Sequence, residues 1–498
     1  MAAGITIGIP FLEPVWPYVD PATDFTPISL NVVGNAYERL VELSSADQSG
    51  FRITPWLATA WNISADGRSY QFQLDPRARF ASGRPVTADD VVFSFRRLGE
   101  LAKPPSHLLR FTSVTAVGRS RVELVLERPS AAALAMLASP AFSVIDEAAV
   151  SLGADLGQAY LSGHSAGSGA FSIRTVSDGE VILEANPRHW RAPPALDRVV
   201  FTDAADAGEQ TGPQRGTGPD ILLTASPALY EASSRDPALV TEQTASLHCP
   251  NLTLLKDTPG PDGRPLPEIP AVVEAIKYGV DYEAIAAAFG GWGDGVHPAQ
   301  TGLIPTACGY SPDLAYYYRY DPRRAAGLLA AAGYPDGIHV DFPYWTGSWG
   351  GVDTGAVARL LEQSLRASGI RPRLRPYSGD EYFALLLDQK AMTGLTLSMS
   401  FYQVPDPEDV FRRKLSFLNL TGHQVHVEAE LDAAAATPDS QVRAGMYRSL
   451  QLRFLTELPM IYLLAFPHRI VRRAGITGYD QPAHSAGPRL AELSFQPS

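Results

Sequence analysis

The sequence predicts an α/β protein built as two or more lobes, and three observations carry that expectation. The chain has 498 residues, too many for one hydrophobic core to organise. Its second half alternates apolar strands with alanine-rich amphipathic helices, the pattern of an α/β lobe. Its first half groups short strands around one strongly capped helix, the pattern of a small α+β unit set into a larger one.

Taken in order, GITIGIP at Gly4 to Pro10 reads as the first strand, and NVVGNAYERLVEL at Asn31 to Leu43 has helical periodicity through Val33, Tyr37, Leu40 and Val41. SYQFQL alternates at Tyr70, Phe72 and Leu74 as a strand. A helix then opens at Thr87, with Asp90 completing a capping-box pair and Asp89 and Asp90 placing negative charge in the first turn, where the helix dipole favours it. Val91, Val92, Phe95 and Leu98 recur on one face. With RVELVLERP at Arg121 to Pro129 as a further strand, residues from about 31 to 163 read as the inserted unit. SIRTV and EVILEA flank Ser177-Asp178-Gly179 as a hairpin, followed by strands at Asp197–Asp203 and Asp220–Ala225.

Beyond Cys249-Pro250, NLTLLKD is a strand and Pro270 suits the first turn of a helix. Asp281 caps the next helix and Gly290-Gly291 ends it. Asp321, Pro322 and Gly333 repeat the same grammar of N-cap, N1 proline and C-terminal glycine. HVDFPYW and RPRLRPY read as strands around the amphipathic helix Gly355 to Ser368, and MIYLLAF at Met460 to Phe466 as a buried strand returning to the first lobe.

Hydrophobic residues make up 45% and charged residues 19%, an ordinary globular balance. The net charge of −12 opposes nucleic acid as a partner, because phosphate binding needs a basic footprint. No run of about 18 apolar residues is present to span a bilayer, and the start MAAGITIGIPF lacks the basic and apolar regions of a signal peptide. That leaves a cytoplasmic protein, or an exported one whose leader is gone. Cys249 and Cys308 form either one disulfide or two inert thiols. Neither has the partners of a zinc site, so no metal and no cofactor is expected.

Motifs that suggest chemistry fail on context. GHSAG at Gly163–Gly167 fits the hydrolase nucleophile elbow, but a helix precedes Ser165 and a strand follows it, the reverse of what exposes the hydroxyl. A secreted serine hydrolase is therefore a weak alternative and a loop bordering a cleft the better reading; a cytoplasmic sensor joined to a DNA-binding domain is weaker still, since no helix-turn-helix or basic segment is visible. GGWGDG at Gly290–Gly295 lacks the strand–loop–helix setting of a phosphate loop. His423 and His426 have no carboxylate or cysteine partners, and Asp406, Glu408 and Asp409 read as a turn before a helix. What remains is a scaffold with aromatic loops: Tyr344, Trp345 and Trp349, Phe401 and Tyr402, and the cluster Tyr316, Tyr317, Tyr318 and Tyr320. Rings on loops suit ligand contact; core packing is the alternative, and for the tyrosine cluster it explains the rings at least equally well.

These segments together resemble the extracellular solute-binding proteins of ATP-driven (ABC) importers, specifically the dipeptide/oligopeptide/nickel-binding family. PWLATAWNISADGRSYQFQLDPRARFASGRPVTADDVVFSFRRL looks like that family's long first-lobe signature. NLTLLKDTPG, IPAVVEAIKYGVDYEAIAAAFGG, GLIPTACGYSPDL and YDPRRAAGLLAAAGYPDG follow in its order, with SGAF and the late PDPED also in place. The resemblance implies the two-lobed periplasmic-binding-protein fold of cluster C type, with an extra α+β subdomain and a two-strand hinge. It implies first-lobe segments at 1–30 and 164–249, the subdomain at 31–163, a second lobe at 250–462 and a return at 463–498. It implies no catalysis, a small-molecule or peptide ligand, a membrane permease as partner, a monomer, and a periplasmic or lipid-anchored location.

Peptide binders of that family place an acidic residue before the late DP motif to pair with a free amine. Gln403 stands there in this sequence. The arginine that dipeptide binders carry after HVDFPYW is replaced by Thr346, Gly347, Ser348 and Trp349. A buried ammonium without a carboxylate is costly. The expected solute is therefore a peptide or amino-acid derivative, opine-like, with a sugar-containing conjugate as the alternative, since indoles stack on sugar faces. The residues expected to line the site are Asn35, Tyr37, His164, Ser165, Gly167, Ser168, Trp345, Trp349, Tyr402 and Gln403, with hinges near Leu247–Leu252 and Ile461–Phe466.

Overall fold

The computed structural model describes residues 4–9, 19–23, 26–46, 50–150, 155–177, 179–204, 213, 218–293, 295–303, 309–387, 392–420, 426–480 and 487–496. Cys308 and His423 lie outside the described residues. Three principal sheets organise the chain.

The first is seven-stranded, in the order Leu239–Ala245, Pro467–Arg473, Ile221–Leu222, Gly4–Ile9, Arg198–Asp203, Glu180–Ala185, Phe171–Ser177. Gly4–Ile9 sits inside it, parallel to both Arg198–Asp203 and Ile221–Leu222. Ile5, Ile7 and Ile9 alternate into a core shared with Val199, Phe201, Val181 and Leu183. The expected hairpin pairs Ser177 with Glu180, with a bulge between Ile173 and Thr175.

The second sheet, four-stranded and antiparallel, runs Ala58–Ile63, Ser69–Leu74, Arg121–Leu126, Phe111–Ala116. Tyr70, Phe72, Leu74, Val122, Leu124 and Leu126 face Val91, Phe95 and Leu98 of the helix Ala88–Leu101. The Phe95 and Phe142 rings meet edge to face at 5.3 Å. Asp90 anchors the helix start: its Oδ2 accepts from the Thr87 backbone N–H at 2.9 Å and the Thr87 hydroxyl at 2.7 Å. Its other oxygen pairs with Arg84, whose Nε also reaches Asp146 at 2.7 Å. The helix opening is thus held by Thr87, Asp90, Arg84 and Asp146 acting together.

The third sheet runs Ile370–Tyr377, Ile338–Trp345, Leu395–Phe401, His248–Leu254, Met460–Tyr462. Both its faces are covered, as a mostly buried sheet requires. One core takes Leu252, Leu397, Phe342 and Ile461 with Ile276, Ile285, Leu329 and Leu361 from the alanine-rich helices. The other takes Cys249, Met460 and Tyr462 with Phe411, Leu431, Tyr447 and Phe454 from the helices Pro407–Leu420, Glu428–Ala436 and Ser440–Glu457. Cys249 is a buried free thiol, pushed up to about 12 by burial.

Two expectations change. The helix expected over Asn31–Leu43 is Pro27–Ala36, with Thr26 as N-cap and proline in its first turn. It ends because Arg39 folds back to donate to the carbonyls of Gly34 and Tyr37, at 3.2 Å each, and pairs with Glu42. The chain then turns into the strand Val41–Ala46. Ile28, Val32 and Val33 pack under the seven-stranded sheet, so this helix belongs to the first lobe's own core and not to the inserted unit. The run Met460–Phe466 is not one strand: Met460–Tyr462 joins the third sheet and Leu464–Ala465 pairs with His297–Pro298.

Among the described residues, a buried ion pair ties the inserted unit to the first lobe. Arg97, 2% exposed, donates from Nη1 to Asp20 Oδ1 at 2.8 Å and from Nε to the Leu156 carbonyl at 2.6 Å. Removing one partner leaves an uncompensated buried charge. Asp20→Ala should therefore lower unfolding free energy by about 3–5 kcal/mol, read as a fall in the urea midpoint. An unchanged midpoint would show that the pair does not hold these elements.

Candidate functional site

The chain passes between the first and third sheets twice. Leu239–Ala245 leads into His248–Leu254, and Met460–Tyr462 leads into Pro467–Arg473. The crossings run side by side, with Ala245 opposite Pro467 on the first-lobe side and Asn251 opposite Tyr462 on the second. At the crossing three rings meet: His248 lies edge-on to Phe401 at 4.9 Å and to His468 at 5.2 Å. Burial pulls both imidazoles below their ordinary value, His468 to about 4, and each is neutral at pH 7.

The two bodies also touch away from the crossing. Gly351 in the second lobe, at φ 75°, lies so close to Ser226 of the first that a Cβ would stand 2.4 Å from its backbone nitrogen. On the inserted unit, the Ser139 hydroxyl donates to Gln403 Oε1 at 3.3 Å. Val404 is buried in the inserted unit's core. Ser130 Oγ donates to Glu408 Oε2 at 2.7 Å.

Gln403 is the expected site residue that this geometry singles out. It is 2% exposed and spans the seam between the lobes. Its Nε2 is buried without a hydrogen-bond partner among the described residues. Its backbone is fixed by Asp409, whose Oδ2 accepts from the N–H groups of Gln403 at 2.6 Å and Val404 at 3.1 Å, while Arg413 Nε holds Oδ1 at 2.6 Å. An amide so placed presents a donor and no charge.

The remaining expected residues have other work. Asn35 donates to the carbonyls of Asn31 and Pro488 and accepts from Leu490 N–H, so it fastens the C-terminal segment. Tyr37 is fully buried, its phenol raised by burial and its oxygen accepting from Ala166 N–H at 3.3 Å. Gly167 and Gly169 pack on the Asn35–Ala36 backbone, where a Cβ would come within 2.0 and 2.3 Å of carbonyl oxygens. Ser168 Oγ donates to the buried Glu38 at 2.7 Å. Ser165 Oγ accepts from Ile173 N–H at 3.0 Å, and the exposed His164 turns its Nδ1 to the Tyr160 carbonyl and stacks on that ring. These two neighbours are thus engaged apart, with no nucleophile–base bond between them. Trp345 and Trp349, rings 6.4 Å apart, are buried in the second lobe's core, as is Tyr402 on its other face. Gly167, Ser168 and Gly169 and the two indoles are packing, while His164 stays exposed and Ser165 half-buried.

Sequence reasoning missed Ser130, Ser139 and His468, and placed His248 only within the hinge expected near Leu247–Leu252. Their partners lie between 153 and 278 residues away for the three nearest the seam, and no local pattern marks such pairs.

The model for bacterial extracellular solute-binding proteins, family 5 Middle, matches residues 52–417. Among individual relatives, the chain is 27% identical to di/tripeptide-binding protein 2 of Pseudomonas aeruginosa, over 87% of this chain and 85% of that one. Among solved structures, it is similar to the dipeptide-binding protein of Pseudoalteromonas sp. SM9913 in complex with Met-Leu, with a TM-score of 0.82, 19% identity, and 99% and 100% of the two chains covered. The PBP/SBP MoaA of A. tumefaciens R10, in complex with mannopinic acid, gives 0.79 at 19% identity with 100% of both covered. These two likenesses establish the two-lobed fold.

The crossing imidazoles carry a pH dependence whose sign is fixed. A histidine whose folded value lies below its unfolded one stabilises the fold fully above pH about 6.5, and loses that contribution as pH falls toward 4. For His468 this is on the order of 3 kcal/mol. Urea unfolding between pH 7 and 4 should therefore show a shallower loss of stability for His468→Phe than for the wild type. Parallel curves would remove the imidazole from the account.

Proposed function

The chain belongs to the bacterial extracellular solute-binding proteins of family 5, and we propose that it captures a peptide- or amino-acid-derived, opine-like solute between its lobes and delivers it unaltered to the permease of an ABC importer. The observation that carries the choice of solute is Gln403. A buried polar atom without a partner costs about 1–3 kcal/mol, and the Gln403 Nε2 is such an atom at the seam the lobes share. An acceptor oxygen on the solute, whether carbonyl, carboxylate or hydroxyl, removes that cost. A free ammonium, a donor only, does not.

The moving bodies are the first lobe with its inserted unit, which runs to Ala245 and resumes at Pro467, and the second lobe from His248 to Phe466, turning about the two crossings. Closure follows from differential affinity: a solute that touches both bodies stabilises the closed arrangement by the contacts it gains only there. The chain acts as a monomer outside the cytoplasmic membrane, in the periplasm or held by a lipid anchor. The sugar-conjugate alternative loses its support, because Trp345 and Trp349 sit inside the core and offer no free face for stacking.

A thermal-shift screen tests this, since a solute at a hundred times its Kd stabilises the folded state by about 2.7 kcal/mol. Amino-acid derivatives whose α-nitrogen is masked or replaced by oxygen-bearing groups should raise the melting temperature. Gln403→Ala should abolish the shift, and Gln403→Asp should move the preference to peptides with a free amine. Equal or greater stabilisation of the wild type by simple dipeptides would overturn the assignment of Gln403.

A further inference from the structure

The inserted unit meets the second lobe along a line of contacts that lies outside the first-lobe sheet. Ser130 donates to Glu408 at 2.7 Å, Ala131 N–H donates to the Ala435 carbonyl at 2.9 Å, and Arg128 pairs with Asp432. Each second-lobe partner is itself fixed. Arg412 bridges Glu408 Oε1 at 2.9 Å and Asp432 Oδ1 at 3.1 Å, joining the helices Pro407–Leu420 and Glu428–Ala436 into one acceptor surface. On the opposite side the Tyr70 hydroxyl, from the four-stranded sheet, donates to the Ser130 carbonyl at 3.4 Å and steadies the presenting turn.

Beside these contacts a cavity of about 520 Å³ separates the bodies, its walls including Leu108, Leu109, Pro129 and Leu415. At this part of the seam the interface is a few discrete polar bonds beside a gap, while Val404 carries an apolar contact into the inserted unit's core. Parting it exposes little apolar surface, as a reversible contact between moving bodies requires. Glu408 is the costly member: it is 3% exposed, and burial raises its carboxyl above the ordinary range. It tolerates that site because Ser130 and Arg412 bond it. When the lobes separate, the Ser130 bond is exchanged for water.

We propose that Arg128, Ser130 and Ala131 form a clasp on Glu408, Asp432 and Ala435 that holds a fraction of the molecules closed without solute, so that these residues set affinity while touching no ligand. Apparent affinity scales with the fraction of molecules already competent to bind, so the clasp shifts Kd for every solute by one common factor. Residues at the seam such as Gln403 instead change the order of preference among solutes. The proposal rests on lobe closure as the mode of action, but not on which solute is bound.

Single-molecule energy transfer in the solute-free protein reads the clasp directly. Dyes go on cysteines replacing the exposed Ile63 and Val442, in a Cys308→Ser background. Cys249 stays unlabelled, because its buried thiol is held protonated. The wild type should show a resolved high-transfer population. The double variant Arg128→Ala/Ser130→Ala should lower the closed-to-open ratio about tenfold, while Ser130→Thr, which keeps the hydroxyl, should leave it nearly intact. Circular dichroism identifies any variant that fails to fold, in which case Ser130→Ala alone is read. A wild type with no closed population, or a ratio unmoved in folded variants, overturns the clasp. Either result leaves the solute assignment standing, and a failed thermal-shift screen leaves the clasp standing.

Discussion

Two strand crossings lying side by side are the constraint on which the rest of the molecule depends. Because Ala245 faces Pro467 and Asn251 faces Tyr462, both connections between the bodies are concentrated along one edge. Rotation about that edge disturbs few backbone hydrogen bonds, while sliding or separation would break a ladder on either side. Each sheet keeps its own core, so the bodies stay rigid as the angle between them changes. Hinge motion is thus the cheap deformation of this architecture.

Polar groups then decide which closed arrangement is reached. Apolar surfaces alone would close without regard to register, whereas each polar contact must find its partner or lose free energy. Asp409 illustrates the point: by bonding two successive backbone N–H groups it fixes where Gln403 stands before any solute arrives. Gly351 works by the opposite means, since only a residue without a side chain lets its loop reach Ser226. Buried imidazoles at the crossing add rings that pack as neutral groups, and so link the stability of the fold to proton concentration.

Local order was legible in the sequence wherever a physical rule acts over a few residues. Thr87 and Asp90, Asp281, Asp321 with Pro322, and the glycines after helices marked boundaries that caps and positive φ angles impose. Alternation at Tyr70, Phe72 and Leu74 named a strand and its inward face. The long helix Ser440–Glu457 escaped notice because its inward positions include Arg443 and Gln451, which blur the apolar period. The Asn31–Leu43 reading failed because Leu40 and Val41 continue the period by chance, while Arg39 folds back onto the carbonyls that end the helix. Of the proposed site, Gln403 was named through the family resemblance, by its place before Asp406-Pro407, whereas the surroundings of Gly167–Gly169 and of the indoles could not be read. A serine or a tryptophan reads the same in sequence whether it faces a ligand or a neighbouring strand. Contacts such as Ser130 with Glu408 join residues hundreds of positions apart, and only the fold brings them together.

Two rigid bodies that close on a solute by turning about one edge become more compact without refolding. Small-angle X-ray scattering during titration with a stabilising solute should therefore show a decrease in radius of gyration that saturates at one equivalent, with no change in secondary structure and the solute recovered at its original mass. A radius of gyration that stays constant through saturation, or a solute recovered chemically altered, would contradict that closure.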